Sequence, residues 1–134
     1  MTEFFEQFFY NETDMHSLII DDDGKVSYAY LLDGEEIIAD VWLYNQAKTP
    51  DLGIWDSLEE IPFLNTVEYV NENITIAPLS DPKEIFIKWE FKNDSLEQVS
   101  IFIRDQLTAI LKPGSKPGWS ICAKKNSRLA KVLI

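Results

Sequence analysis

Three apolar runs separated by two Asp-Gly pairs lie in the stretch Asp14–Tyr44, DMHSLIIDDDGKVSYAYLLDGEEIIADVWLY. Asp-Gly between runs of β-forming residues is a strong hairpin signal, since both central residues of a type I′ turn need positive φ. The pairs Asp23-Gly24 and Asp33-Gly34 therefore predict an antiparallel meander of three strands. Both faces of these strands are partly apolar, which predicts a sheet that is covered twice or curled into a barrel.

The flanking segments set the rest of the fold class. Apolar and polar residues alternate from Ile85 to Phe91, and similar patterns predict strands up to Leu111. Thr2–Tyr10 instead has four phenylalanines at the i, i+1, i+4, i+5 spacing of one helical stripe. Ser127–Leu133 is predicted to be a turn or short helix. The expected fold is mainly β (α+β): a curled antiparallel sheet or barrel-like meander with a short N-terminal helix.

The length and composition favour one globular domain over residues 1–134. The 134 residues are 46% hydrophobic, enough for one proper core. The longest apolar tracts fall far below the roughly 18 residues of a membrane-spanning helix, so no membrane partner is expected. Met1–Tyr10 is acidic and aromatic, without the basic region of a signal peptide. With a single cysteine, Cys122, these features predict a cytoplasmic protein.

The acidic residues are concentrated in one half of the chain. Up to Glu72 there are 17 Asp and Glu against two lysines, whereas the remainder has six acids against ten Lys and Arg. The total is −11. A negative field of this size speeds encounter with a cationic partner and discourages binding of nucleic acid.

From Asn45 to Ala77 the strand pattern breaks. Several Asn residues with Pro50, Gly53 and Pro62 predict a long ordered loop. The loop carries so many bulky apolar residues that we expect it to drape over the sheet.

Residues for catalysis or metal binding are scarce. His16 is the only histidine, and Cys122 lies in an apolar run at the other end of the chain. A structural zinc site needs more Cys and His than this chain has. The Asp-rich tip before Gly24 lacks both essential carboxylates of a calcium loop, where Ile19 and Tyr30 stand instead. We expect no catalytic residue, no metal and no cofactor.

Two stretches carry a family resemblance over about a third of the chain. One runs from Trp42 through Trp55, Pro62-Phe63-Leu64-Asn65 and Glu68-Tyr69-Val70; the other is Lys116-Pro117-Gly118-Trp119-Ser120 followed by Leu129-Ala130-Lys131-Val132-Leu133. They resemble small bacterial immunity proteins of polymorphic and contact-dependent growth inhibition toxin systems. The resemblance implies a non-enzymatic cytoplasmic inhibitor that binds its cognate toxin tightly and blocks the toxin's active site.

The charge and the resemblance together predict a contact set. The partner expected is a basic protein toxin, with nucleases as a candidate class, because a nuclease cleft is built from Lys and Arg that an acidic surface can occupy. The chain itself is expected to act as a monomer. The predicted toxin-binding residues are the acids of the hairpin tips and an aromatic anchor with its neighbours: Asp21, Asp22, Asp23, Asp33, Glu35, Glu36, Trp55, Asp56, Glu59 and Glu60.

A small-molecule-binding or enzymatic β-barrel domain is the alternative. Its pocket would lie between the curled sheet and the long loop, lined by Trp42, Trp55, Trp89 and Tyr44. Aromatic walls of this kind suit apolar ligands. An accessory subunit of a larger assembly is a third possibility, which differs from the first only in its partner.

Overall fold

The computed structural model describes residues 3–11, 15–45, 70–71 and 73–133, and this part of the chain is mainly β. Its only helical element is one 3-10 turn, Pro82–Glu84. The strands are β1 (Phe4–Phe9), β2 (His16–Asp22), β3 (Val26–Asp33), β4 (Glu36–Asn45), β5 (Ile85–Lys92), β6 (Ser95–Ile103), β7 (Gln106–Leu111), β8 (Trp119–Ser120) and β9 (Lys131–Val132).

The strands form two sheets, each in simple sequence order. One sheet is β1-β2-β3-β4 and the other is β5-β6-β7-β8-β9. All neighbours are antiparallel except β8 and β9, which are parallel. The predicted antiparallel meander is confirmed, but the described strands do not close into a barrel, which was one of the two expected forms. β5 begins a second sheet instead of continuing the first.

The predicted N-terminal helix is wrong, because Thr2–Tyr10 contains the edge strand β1. Aromatic residues favour strands, and β2 offers β1 a complete antiparallel partner. In the strand, Phe4 and Phe8 face the core, while Phe5 and Phe9 point outward. The short helix considered at Ser127–Leu133 is also absent, since this segment includes β9.

The hairpin positions are confirmed, but the type I′ turns lie elsewhere than predicted. At the two Asp-Gly pairs only the glycines have positive φ, 91° at Gly24 and 63° at Gly34. Two consecutive residues with positive φ occur instead at 93–94 and 104–105, in the second sheet. Asn and Asp tolerate this region, and the 104–105 turn adds Arg104 at 48°.

The core lies between the inner faces of the two sheets. Fully buried side chains of the first sheet include Leu18, Leu31 and Val41, and they share one cluster with Ile101 and Leu111 of the second sheet. The inward residues on neighbouring strands are paired in register, as with Leu18 and Leu31. This burial is the main stabilising contribution to the fold.

The outer edge of β4 is covered by irregular backbone from the second half of the chain. Gly114 N donates to Ile38 O at 2.8 Å, Gly118 N to Asp40 O at 2.7 Å, and Trp42 N to Leu129 O at 2.8 Å. A Cβ on Gly118 would lie 2.5 Å from Ile110 O, so this close approach requires glycine. The two sheets are thus joined along β4.

A buried carboxylate, that of Asp22, connects the end of β2 to the end of β4. Asp22 is 1% exposed, and its Oδ2 accepts a 2.7 Å hydrogen bond from Tyr44 Oη. Its Oδ1 accepts from Gly24 N at 3.0 Å. Leu79 N donates to Tyr44 Oη at 3.3 Å, which links the segment before β5 to the same pair. Burial, followed by the hydrogen bond to Asp22, raises the pKa of Tyr44 well above its usual range.

We expect Tyr44→Phe to destabilise the fold by about 1–3 kcal/mol, because it removes one donor from a buried carboxylate. Urea denaturation followed by tryptophan fluorescence measures this change. Tyr10→Phe is the control, since the Tyr10 side chain is 39% exposed. An equal, small effect of both substitutions would show that the Asp22–Tyr44 bond contributes little.

An ion pair between Glu84 and Arg104 lies at the start of β5 and the end of β6. Glu84 Oε1 accepts from Ser80 N and Asp81 N, each at 3.0 Å, and Glu84 Oε2 accepts from Arg104 Nε at 2.7 Å. Arg104 also donates to the carbonyl of Ala77 at 3.0 Å. The hydrogen bond from Ser80 N, aided by those from Asp81 N, the Ser80 hydroxyl and Arg104, lowers the pKa of Glu84 from 4.5 to about 2.

This lowered pKa predicts an acid-sensitive contribution to stability. The contribution is fully present above the unfolded-state value of 4.5 and is lost as the pH falls through about 2. Glu84→Gln should therefore reduce the slope of unfolding free energy against pH between these two values. Urea titrations across that range measure the slope, and an unchanged slope would contradict the assignment.

Candidate functional site

One end of the sandwich holds an acidic groove between the two sheets. Its volume is about 660 Å³. We call this site the acidic groove and define it by its lining residues: His16, Asp33, Glu36, Ile37, Ile38, Asp94, Ser95, Leu96, Pro113, Gly114 and Lys116. These residues come from the start of β2, the β3–β4 hairpin, the β5–β6 turn and the loop after β7.

Local backbone geometry places the acids on the rim. Gly34 at φ 63° makes the tight connection from Asp33 to Glu36, and Gly34 N donates to Met15 O at 2.9 Å. On the facing sheet, Asp94 occupies the second turn position with φ 64°. Asp33, Glu36 and Asp94 are thus presented from two tight hairpins.

The groove combines negative charge with an apolar wall. Among the described residues, no ion pair engages Asp33, Glu36 or Asp94. Lys116 is the lysine in the lining, and Ile37 is 43% exposed beside the acids. A long basic side chain could lay its aliphatic stem on such a wall and direct its cationic head to the carboxylates.

The sequence-predicted contact residues divide into separate places. Asp33 and Glu36 line the acidic groove, and Glu35 is exposed on the hairpin between them. Asp21, Asp22 and Asp23 lie at the opposite end, at the β2–β3 hairpin. Trp55, Asp56, Glu59 and Glu60 lie outside the described residues.

The three adjacent aspartates at the far hairpin do not form one surface. Asp22 is buried and bound to Tyr44, so its carboxylate is not offered to a partner in this fold. Asp23 is exposed, and its Oδ1 accepts hydrogen bonds from Lys25 N at 2.8 Å and Val26 N at 3.0 Å. Asp21 is partly buried; burial, then repulsion from Asp23, raises its pKa. Charge reversal of this triplet would disturb the turn as well as any contact.

Sequence reasoning missed Asp94 as a groove residue. Its signal was the Asn93-Asp94 turn between two alternating segments, but the sequence does not show which hairpins share an end of the sandwich. Asp40, which is not among the predicted contact residues, lies on the outer face of the first sheet beside Tyr28 and Tyr30. Burial raises the pKa of Asp40, and nearby Lys116 opposes the rise.

Only part of the predicted aromatic pocket comes together. Trp42 and Tyr44 line a cavity of about 290 Å³ with Cys122. Trp89 instead packs against Tyr10, with ring centroids 5.6 Å apart. The fourth predicted wall residue, Trp55, lies outside the described residues.

The His16 and Cys122 side chains line different cavities. His16 borders the acidic groove, whereas Cys122 borders the cavity with Trp42. Burial raises the pKa of the Cys122 thiol to about 12, so thiolate is scarce at neutral pH. Within the described ranges, no group of three or more His, Cys, Asp or Glu is arranged to hold a metal ion. In the same ranges no helix is long and apolar enough to cross a membrane.

Comparison with known proteins leaves the chain without a family assignment. No protein-family model, curated protein or solved structure matches it. The functional argument therefore starts from the acidic groove and the charge distribution.

Proposed function

We propose that this chain is an immunity protein that binds and neutralises a cognate toxin. The observation that carries the proposal is the acidic groove, where Asp33, Glu36 and Asp94 from two sheets face a volume of about 660 Å³. Basic side chains of the toxin enter this groove. The resemblance of the sequence to immunity proteins supports the same class of function.

The charge distribution supports a basic toxin as the partner. The first sheet lies within the acid-rich half of the chain, and its β3–β4 hairpin supplies one rim of the groove. A negative field steers a cationic surface into contact and raises the association rate. Nucleases are the candidate class, because their clefts carry Lys and Arg to hold phosphates.

Neutralisation by this surface needs no chemical step. The immunity protein occupies the basic cleft and excludes the substrate, so inhibition is stoichiometric and this chain turns nothing over. The cost of removing cationic side chains from water is offset by carboxylate partners, and the apolar wall at Ile37 contributes burial. The complex forms in the cytoplasm, where the toxin would act on its producer.

We expect capture with a tagged copy from its own cells at low salt to recover one basic protein at equal stoichiometry. The product of the neighbouring gene is the first candidate to identify. Co-expression of this chain should abolish that protein's toxicity. Recovery of no basic protein, with the tagged domain folded, would contradict the proposal.

Substitutions in the groove should slow association of the two proteins. Asp33→Lys with Glu36→Lys should lower the association rate at least about tenfold at low salt and less at high salt, because screening weakens steering. Asp94→Asn has a matched control in Asp105→Asn, since both sit second in two-residue turns with φ of 64° and 66°. Equal association rates for these two variants would show that Asp94 does not contact the toxin.

A small-molecule-binding function is the second candidate, favoured by the cavity that Trp42 and Tyr44 line. Its volume of about 290 Å³ suits a small apolar ligand. A metabolite panel screened by thermal shift tests it, because a ligand that binds only the folded chain raises the melting temperature. A large shift with one compound, lost on filling the cavity by Cys122→Leu, would favour this function over the first.

A further inference from the structure

The edge strand β1 leaves two large aromatic side chains in solvent. Phe5 is 63% exposed and Phe9 is 65% exposed, on the outer face of the first sheet. Between them, Gln7 Nε2 donates to Ser17 Oγ at 3.0 Å. In the described part of the chain, β1 pairs only with β2, so its other side is the edge of the sheet.

The hydrogen-bond alternation identifies which backbone groups face this edge. Tyr10 N donates to His16 O, and Gly34 N donates to Met15 O. In an antiparallel ladder, bonded pairs recur every second residue. Even-numbered residues of β1 are therefore bonded to β2, which leaves the N–H and C=O groups of Phe5, Gln7 and Phe9 directed outward.

We propose that β1 pairs antiparallel with β1 of a second copy, which joins the two first sheets into one eight-stranded sheet. The partner's Gln7 lies opposite Gln7, and the partner's Phe9 lies opposite Phe5. This register brings the three outward-facing residues of both strands into bonded pairs, with two hydrogen bonds for each pair. It also places the exposed phenylalanines side by side on one face.

Two alternative registers of the strands are less favourable. If the partner strand shifted by one residue, each outward-facing residue would lie opposite a residue whose N–H and C=O groups are already hydrogen-bonded to β2. The register that centres on Glu6 satisfies the backbone, but it sets two like charges directly opposite each other, which is destabilising. With Gln7 at the two-fold axis, Glu6 instead lies opposite the partner's Phe8.

The expected interface is small. An aromatic side chain buries about 150–250 Å² when fully covered, so four phenylalanines exposed by about two thirds contribute at most roughly 400–670 Å². With the paired backbones, the total approaches the lower limit of about 1,000 Å² for a specific interface. The dimer should therefore be weak and concentration-dependent. Because each copy carries a net charge of −11, salt should strengthen it by screening repulsion.

Sedimentation velocity on the full chain tests the dimer from about 10 µM to 1 mM, at low salt and at high salt. The expected result is a sedimentation coefficient that rises with concentration and rises further at high salt. Phe5→Lys should weaken association at least about tenfold. Phe86→Lys is the matched control, since Phe86 is 62% exposed on β5, outside the proposed interface. A monomer throughout, or equal weakening by both variants, would overturn the proposal.

Cross-linking provides a second readout that does not depend on the lysine variants. In a Cys122→Ser background, Gln7→Cys should form an intermolecular disulfide on mild oxidation, because bonded antiparallel pairs hold Cα atoms about 5.5 Å apart. Phe86→Cys should cross-link much more slowly. Equal yields at the two positions would contradict the register. Salt separates this contact from toxin binding, whose association rate should fall as salt is added.

Discussion

The hydrogen bond from Tyr44 to the buried Asp22 carboxylate holds together parts of the chain that are distant in sequence. It fixes the end of β2 against the end of β4, and through Leu79 it reaches the segment that leads into the second sheet. A carboxylate that is 1% exposed is costly unless its acceptors are satisfied. The position of the first sheet relative to the segment before β5 therefore depends on a polar contact as well as on the apolar core.

This structural use of an aspartate changes how the acidity of the chain is interpreted. One acid of the Asp21–Asp23 triplet maintains the fold, and another caps its turn. The acids that share the groove are instead Asp33, Glu36 and Asp94, which come from hairpins of both sheets. In the proposed immunity function, the three groove acids make the direct contacts with the toxin. The remaining acids supply the long-range negative field.

The meander could be predicted from the sequence, but which turns lie together at each end of the sandwich could not. Alternating patterns and turn residues are local, so β2 to β7 could be predicted from their own segments. The four phenylalanines of Thr2–Tyr10 fit a helical stripe by spacing, but pairing with β2 decides their structure and is not visible locally. The acidic groove depends on which turns of two sheets lie together. Burial of Asp22 likewise depends on Tyr44, which lies 22 residues away.

The covered edge of β4 has a consequence for the order in which the fold can be completed. Each sheet is assembled from consecutive strands, so most ladder contacts are local and can form early. The backbone that covers β4 comes from Gly114, Gly118 and Leu129, far along the chain. During synthesis from the N-terminus, these hydrogen bonds to β4 cannot form until residues 114–129 leave the ribosome. Over that interval the nascent acidic half is exposed to edge-to-edge pairing, which its own like charges oppose.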